Sequence, residues 1–155
     1  MIECIADSEV WTIVDTETLI TSFASIKESL NNGRLKIIIP LTTIRQFENY
    51  DTIKSTKVSQ EEITNVTSFL DDMLSHGSQN IHIQRVEEHY TGSLGRSLSK
   101  RNTEDMYRCM AFYQTRYLPG RQYVLMSKNV DLIKWALEIG MRRVPGVDGQ
   151  EKTIG

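Results

Sequence analysis

The chain has 155 residues, a mass of 17.8 kDa and a hydrophobic fraction of 39 %, which predicts one folded domain and excludes a disordered tail, a collagen-like chain and a coiled coil. With 18 basic and 20 acidic residues the net charge is −2, so nucleic-acid binding through a bulk positive field is excluded and would need a local patch. The two cysteines, Cys4 and Cys109, have no metal-binding spacing, which favours reduced thiols in a cytosolic or nuclear protein.

The first forty residues predict two strands with an amphipathic helix between them. Residues 10–14 form a β-rich run that ends at Asp15, and Thr16 is a candidate cap for a helix that follows. The helix is predicted because apolar residues recur at spacings of three and four, at Leu19, Ile20, Phe23, Ile26 and Leu30. Residues 35–39 are nearly all apolar, which is typical of a strand buried on both faces, and Pro40 ends it.

The rest of the chain continues the alternation of helices and strands. The predicted segments are, in order, a helix over 41–50, a loop over 52–57, a helix from Ser59 to His76, a strand over 81–83, a loop over 90–101, a helix capped by Asn102 or Thr103 that runs to about 117, a strand over 123–126, a helix over 130–139 and a last strand over 142–145.

This order of elements predicts an α/β fold: a three-layer α/β/α sandwich with a mostly parallel central sheet. The chain contains no internal repeat and no linker long enough to separate two domains, so residues 1–155 are expected to form one domain. No stretch approaches the roughly 18 apolar residues of a membrane span, and membrane partners are therefore not expected.

In such a sheet, ligands bind at the carboxyl ends of the strands, which directs attention to Asp15 and Asp105. Asp15 follows the first strand, where it could be a functional carboxylate or simply a helix cap. Asp105 is predicted in the first turn of its helix, where an acid also stabilises the helix dipole. Carboxylates that converge at strand ends are typical of a divalent-metal nuclease site, because Mg²⁺ prefers oxygen ligands and can activate water.

Four short segments together resemble a PIN domain. They are 13–16, 37–41, 102–105 and 124–127, and Gly33-Arg34-Leu35 fits the branch formed by the C-terminal PIN domains of the SMG proteins of nonsense-mediated mRNA decay. The resemblance extends over about residues 10–144. It implies a PIN-like fold and a chain that is the C-terminal part of a larger protein.

The resemblance also implies four acidic positions around a metal, of which this chain retains two. Asp15 matches the first position and Asp105 the third, whereas Gln46 stands where the family has glutamate. In the turn where the family has aspartate, this chain has Lys128 and Asn129. A missing charge about 4 Å from a cation forfeits roughly 4 kcal/mol at an effective dielectric constant of 20, so a metal site on Asp15 and Asp105 is expected to be weak or absent.

Two acids offer alternatives at the missing positions. Glu48 lies about 200° around a helix from Gln46, so it could replace a ligand only if this segment is not a regular helix. Asp131 could stand in for the fourth acid, although it lies inside the following predicted helix.

The first hypothesis is therefore a nuclease-inactive PIN domain that serves as a regulatory or scaffolding module in mRNA decay, without a cofactor. Its partners would be other decay factors, including another PIN domain, and single-stranded RNA, in the cytoplasm and also the nucleus. The alternative is an active endoribonuclease that uses Mg²⁺ or Mn²⁺ to cleave single-stranded RNA. A receiver-like or nucleotide-binding domain is disfavoured, because the chain has no GxGxxG, no P-loop and no acidic pair after the first strand.

A small basic group in the predicted loop is the candidate RNA contact. Arg96, Lys100 and Arg101 precede Asp105 and could hold an RNA phosphate backbone. The alternative, that they are ordinary charges of a solvated loop, is favoured over this role. Trp11 and Trp135 are expected to pack in the core and not to stack on bases.

Overall fold

A five-stranded sheet organises the chain in the computed structural model, which describes residues 9–48, 59–95, 100–116 and 120–144. The strands are β1 (Glu9–Val14), β2 (Ile37–Ile39), β3 (Ile81–Ile83), β4 (Arg121–Met126) and β5 (Arg142–Arg143). The helices in the described ranges are α1 (Thr16–Thr21), α2 (Phe23–Asn31), α3 (Leu41–Glu48), α4 (Gln60–Ser75), α5 (Arg101–Thr115) and α6 (Val130–Glu138). The predicted α/β class is confirmed.

All strand pairings of the described sheet are parallel, in the order β3-β2-β1-β4-β5. In the centre, Ile13 of β1 lies opposite Ile38 of β2 and Leu125 of β4. The chain builds outward from β1 through β2 to β3, and then returns to the other side of β1 to form β4 and β5. The strand order therefore reverses between β1 and β4, and their carboxyl ends form the crevice in which such sheets bind ligands.

Apolar side chains fill a core on each side of the sheet. Ile13 and Ile38 belong to the core that α5 and α6 cover, with Trp11 and Trp135 buried in it as expected. Val14, Ile37 and the apolar residues of α1, α2 and α4 form the second core. Because side chains alternate along a strand, β1, β2 and β4 each contribute to both cores, which gives the predicted three layers.

The predicted first helix is wrong in one respect, because two helices replace it. α1 ends at Thr21 and α2 begins at Phe23, with Ser22 between them outside the helical range (φ −109°, ψ 22°). The apolar spacing continues across Ser22, so periodicity could not reveal the break. The cap of α1 is also Asp15 and not Thr16, since the Asp15 carboxylate accepts a hydrogen bond from the Thr18 amide (3.2 Å).

The helix that carries Asp105 begins earlier than predicted. α5 starts at Arg101, with Lys100 at the cap position, and ends at Thr115. Lys100 provides no side-chain capping bond. The prediction placed the cap at Asn102 or Thr103 because these residue types favour cap positions, but both lie inside α5. Asp105 consequently lies just beyond the first turn of α5, where the helix dipole stabilises a carboxylate less.

Other boundaries follow the sequence closely. Ser59 and Glu62 form the predicted capping box at the start of α4 through two reciprocal hydrogen bonds (2.9 and 3.1 Å). β2 is two residues shorter than predicted.

The predicted loop 52–57, Cys4 and Arg96 lie outside the described residues. In the part of the chain that is described, no helix has the length and apolar character needed to cross a bilayer.

Candidate functional site at the carboxyl edge of the sheet

Asp15 lies at the crevice between β1 and β4, and both of its carboxylate oxygens are engaged. Oδ1 accepts from the Thr18 amide (3.2 Å), and Oδ2 accepts from the hydroxyl of Ser127 (2.9 Å). Ser127 directly follows β4, so this bond joins the ends of the two central strands. Burial raises the pKa of Asp15, whose residue is only 8 % exposed, while the hydrogen bonds from Thr18 and Ser127 act in the opposite direction.

Gln46 reaches the neighbourhood of Asp15 from α3. The Thr16 hydroxyl donates to its amide oxygen (2.5 Å) and also lies 2.9 Å from the hydroxyl of the buried Thr43. Gln46, the residue that the resemblance matches to the second acid of the family, therefore lies beside Thr16 at this edge. Its oxygen is neutral and accepts a hydrogen bond within the protein.

Asp105 is paired with two guanidinium groups. Arg45 Nη2 lies 2.5 Å from Asp105 Oδ2, and Arg101 Nε lies 3.7 Å from the same oxygen. Arg45 immediately precedes Gln46 on α3, and neighbouring residues of a helix point about 100° apart. α3 thus presents Gln46 towards Thr16 and Arg45 towards α5, so the charge of Asp105 is neutralised by α3 and by its own helix.

Asn129 serves as the cap of α6. Its side-chain oxygen accepts from the Leu132 amide (3.1 Å), and its own amide donates to Ser127 Oγ (3.0 Å). Ser127 therefore connects Asp15 with Asn129. Lys128, between Ser127 and Asn129 in the chain, is exposed, and so is Asp131 in the first turn of α6.

The predicted RNA contacts are only partly described. The side chain of Arg101 is 84 % exposed and pairs only weakly with Asp105. Lys100 is also exposed. Arg101, Arg45 and Arg108 line a cavity of about 230 Å³ together with Asp105. Arg108 is engaged by Glu104 (2.9 Å) and by the backbone oxygens of residues 90 and 92, which leaves Arg45 and Arg101 as the more accessible cations.

Two residues of this edge had no assigned role in the sequence. Ser127 directly follows the predicted strand over 123–126. Its position at the end of β4 could have suggested a partner for Asp15. Arg45 gave no signal, because its partner Asp105 is 60 residues away. Among the described residues, no group of three or more His, Cys, Asp or Glu side chains is arranged to hold a metal ion.

Comparison with known proteins gives a family and a fold. The family model described as "PIN domain" matches residues 12–144. Among solved structures, the PIN domain of human SMG5 is similar with a TM-score of 0.57 and 17 % sequence identity, covering 92 % of this chain and 98 % of that one. At this identity the similarity shows the fold. No curated protein sequence matches the chain.

Proposed function

Because this chain belongs to the PIN domain family, we propose that it is a nuclease-inactive PIN domain that acts as a regulatory or scaffolding module in nonsense-mediated mRNA decay. The observation that carries the proposal is the pairing of Asp105 with Arg45 and Arg101. In a PIN nuclease this position would offer a carboxylate to the metal, whereas here it forms a close ion pair with Arg45 and a longer, exposed one with Arg101.

The other donors at this edge support the same conclusion. Asp15 is the one remaining acid of the four family positions that has no cationic partner among the described residues, and both of its oxygens accept hydrogen bonds. Gln46 and Asn129 supply neutral oxygens that already accept from Thr16 and Leu132. Mg²⁺ is bound through carboxylates and substrate phosphates and is reluctant to lose its water, so this donor set fits the ion poorly.

The alternative, an active endoribonuclease, would need a further acid at the edge. Glu48 was the first candidate, but α3 is a regular helix through Glu48, and a residue two positions from Gln46 lies about 200° around the helix from it. Asp131 is exposed on α6. Neither position supports a third ligand beside Asp15 and Asp105.

The partners in this proposal are other mRNA decay factors, including a second PIN domain, and single-stranded RNA. The similarity to the SMG5 PIN structure supports an RNA-decay context through the fold. The exposed cations Lys100 and Arg101 support a contact with phosphate groups. We expect the protein to act in the cytoplasm and also in the nucleus.

The decisive experiment is incubation of the purified chain with single-stranded RNA and Mn²⁺. We expect no cleavage above that of Asp15→Asn, because the metal lacks a sufficient set of charges. Cleavage by the unmodified chain that disappears in Asp15→Asn would overturn the proposal and support the endoribonuclease.

Two controls make this assay specific. Glu48→Gln tests the acid that the alternative would recruit, and cleavage that depends on Glu48 would assign it as a ligand. Circular dichroism of each variant establishes that a loss of cleavage is not a loss of folding. A contaminating nuclease would give cleavage that is equal in all variants.

A further inference from the structure

A cavity of about 530 Å³ lies on the face of the sheet covered by α5. It is lined by residues early in β1 and β4, among them Trp11 and Arg121, and by the last turn of α5 with Arg116. Trp11 precedes Asp15 by four residues, or about 13 Å along the strand. The Trp11 side of the cavity is therefore distant from Asp15, although another wall is the turn that follows β3. The volume of the cavity falls within the range of small-molecule sites.

The cavity presents an aromatic face with cations beside it. Phe112 is half-buried, and the guanidinium carbon of the exposed Arg116 lies 5.0 Å from the centre of its ring. Arg121 lies 5.8 Å from the Trp11 ring and 3.3 Å from the carboxylate of Glu9. Arg116 forms no ion pair with a described residue, so its charge is available to an anionic ligand.

The opposite wall of the cavity is acidic and hydrogen-bonded. Glu88 Oε1 accepts from His82 Nε2 (2.8 Å), from the Arg85 amide (2.8 Å) and from the Tyr113 hydroxyl (3.1 Å). These bonds fix the turn that follows β3. Glu87, next to it, lines the cavity with an exposed carboxylate, which can accept hydrogen bonds from a ligand.

We propose that this cavity binds one nucleotide, either free or as part of single-stranded RNA. The base stacks on Phe112, where Arg116 now lies, since bases stack on aromatic rings and on guanidinium planes. The displaced Arg116 and the neighbouring Arg121 hold the phosphate. Glu87 accepts a hydrogen bond from an exocyclic amine of the base.

This arrangement predicts a preference among bases. Adenine, cytosine and guanine carry an exocyclic amine that can donate to a carboxylate, whereas uracil can donate only through its ring N3–H, which the proposed contact with Glu87 does not use. AMP and CMP should therefore bind more tightly than UMP, and Glu87→Gln should reduce the difference. A site that held only the phosphate would bind all nucleotides equally and would also bind inorganic phosphate.

The test is titration of the whole chain with AMP, CMP, UMP and inorganic phosphate, followed by calorimetry and by the emission of Trp11, which lines the cavity. We expect saturable binding that weakens roughly five- to hundredfold in Phe112→Leu, the range for loss of one base–aromatic stack. Arg116→Ala should weaken binding by about tenfold, the effect of losing a hydrogen bond to a charged group.

Matched variants separate these effects from general damage. Phe69→Leu removes a half-buried ring on the other face of the sheet, and Arg34→Ala removes an exposed arginine outside the cavity. Both should leave the affinity unchanged. Absence of saturable binding at millimolar AMP, or equal loss in the Phe112 and Phe69 variants, would overturn the proposal.

A short RNA of adenosine and cytidine distinguishes the two sources of the nucleotide. Binding of the RNA that is tighter than binding of AMP, and that is lost in Phe112→Leu, identifies a strand as the ligand. Binding of AMP that exceeds binding of the RNA identifies a free nucleotide. No metal is added in these titrations, so the result is independent of the nuclease question.

Discussion

The hydroxyl of Ser127 donates to the carboxylate of Asp15 across the central crevice, at 2.9 Å between Oγ and Oδ2. The two residues are 112 positions apart in the chain and become neighbours because β1 and β4 are adjacent and parallel. In this arrangement Asp15 is a structural carboxylate that caps α1 and fastens the end of β4. The resemblance matches Asp15 to an acid of the PIN nuclease site, and in the structure both of its carboxylate oxygens accept hydrogen bonds that hold the fold together.

Asp15→Asn should become more stable relative to the unmodified chain as the pH rises. Burial raises the pKa of Asp15 above 3.8, so its contribution to stability is fully present below pH 3.8 and is lost as the pH rises through the folded-state pKa. Asparagine caps a helix as well as aspartate does and carries no charge, but it has one acceptor oxygen where Asp15 uses two, so the bond from Ser127 is lost at every pH. Thermal denaturation between pH 4 and 8 should therefore show a difference in Tm between the two proteins that shifts in favour of the variant towards pH 8.

The control for this prediction is Asp71→Asn, which alters an exposed carboxylate on α4. It should leave the Tm within error of the unmodified chain at every pH. A difference in Tm that shifts against Asp15→Asn as the pH rises would mean that the charge of Asp15 stabilises the edge, as it would if an unrecognised cation lay beside it.

Ser127→Ala should destabilise the protein by about 1–3 kcal/mol, the cost of leaving a buried polar group without its partner. The variant removes the donor to Asp15 and the acceptor for the Asn129 amide. For a domain of this size, each kcal/mol lowers the Tm by about 2–4 °C. Urea unfolding measures the change, and Ser25→Ala, at an exposed position of α2, should stay within about 0.5 kcal/mol.

A double-mutant cycle over Asp15→Asn and Ser127→Ala measures the interaction itself. Residues in direct contact usually show coupling of about 0.5–3 kcal/mol. Additive effects of the two substitutions would show that the 2.9 Å contact contributes little to stability.

Restoring acids at the two substituted positions should create a metal site. Gln46→Glu keeps an oxygen to accept from Thr16, and Asn129→Asp keeps the cap of α6. The double variant has four acids at the edge, and each added charge near a cation is favourable by several kcal/mol. Calorimetric titration with Mn²⁺ should show binding by the double variant that is at least tenfold tighter than by the unmodified chain.

Arg45→Ala sharpens this test, because it removes the nearer cation from Asp105. Added to the double variant, it should strengthen Mn²⁺ binding further. If the unmodified chain binds Mn²⁺ as tightly as the double variant, the missing acids at positions 46 and 129 do not limit the affinity for the metal.

Glu88→Gln should reduce stability at neutral pH and have less effect in acid. Burial raises the pKa of Glu88, but hydrogen bonds from Arg85, His82 and Tyr113 outweigh it, so the pKa lies below 4.5. The contribution of Glu88 is therefore present above pH 4.5 and is lost as the pH falls through the folded-state pKa. Unfolding in urea at pH 7 and near pH 4 checks the expected convergence, with Glu87→Gln as the exposed neighbour that should show no such trend.

Periodicity and local chemistry predicted most of the fold from the sequence. The alternation of apolar runs, the capping box at Ser59 and Glu62 and the strands around Ile38 and Leu125 depend on residues that are close in the chain. Helix boundaries were predicted wrongly where residue types and apolar spacing did not mark them. Ser22 interrupts a helix without interrupting its apolar spacing, and Lys100 occupies a cap position that its residue type does not favour.

The candidate site, like the fold, was only partly predictable from the sequence. The sequence alone determined the alternating order of elements that brings Asp15, Gln46 and Asn129 to one edge, because parallel strands place their carboxyl ends on one side. That these positions match a PIN metal site with two of its four acids replaced is a prediction from the resemblance. Only the tertiary structure decided what those residues do there. Arg45 neutralises Asp105 across 60 residues, and Ser127 binds Asp15 across 112. Contacts between distant segments depend on strand order and helix packing, which leave no trace in local spacing.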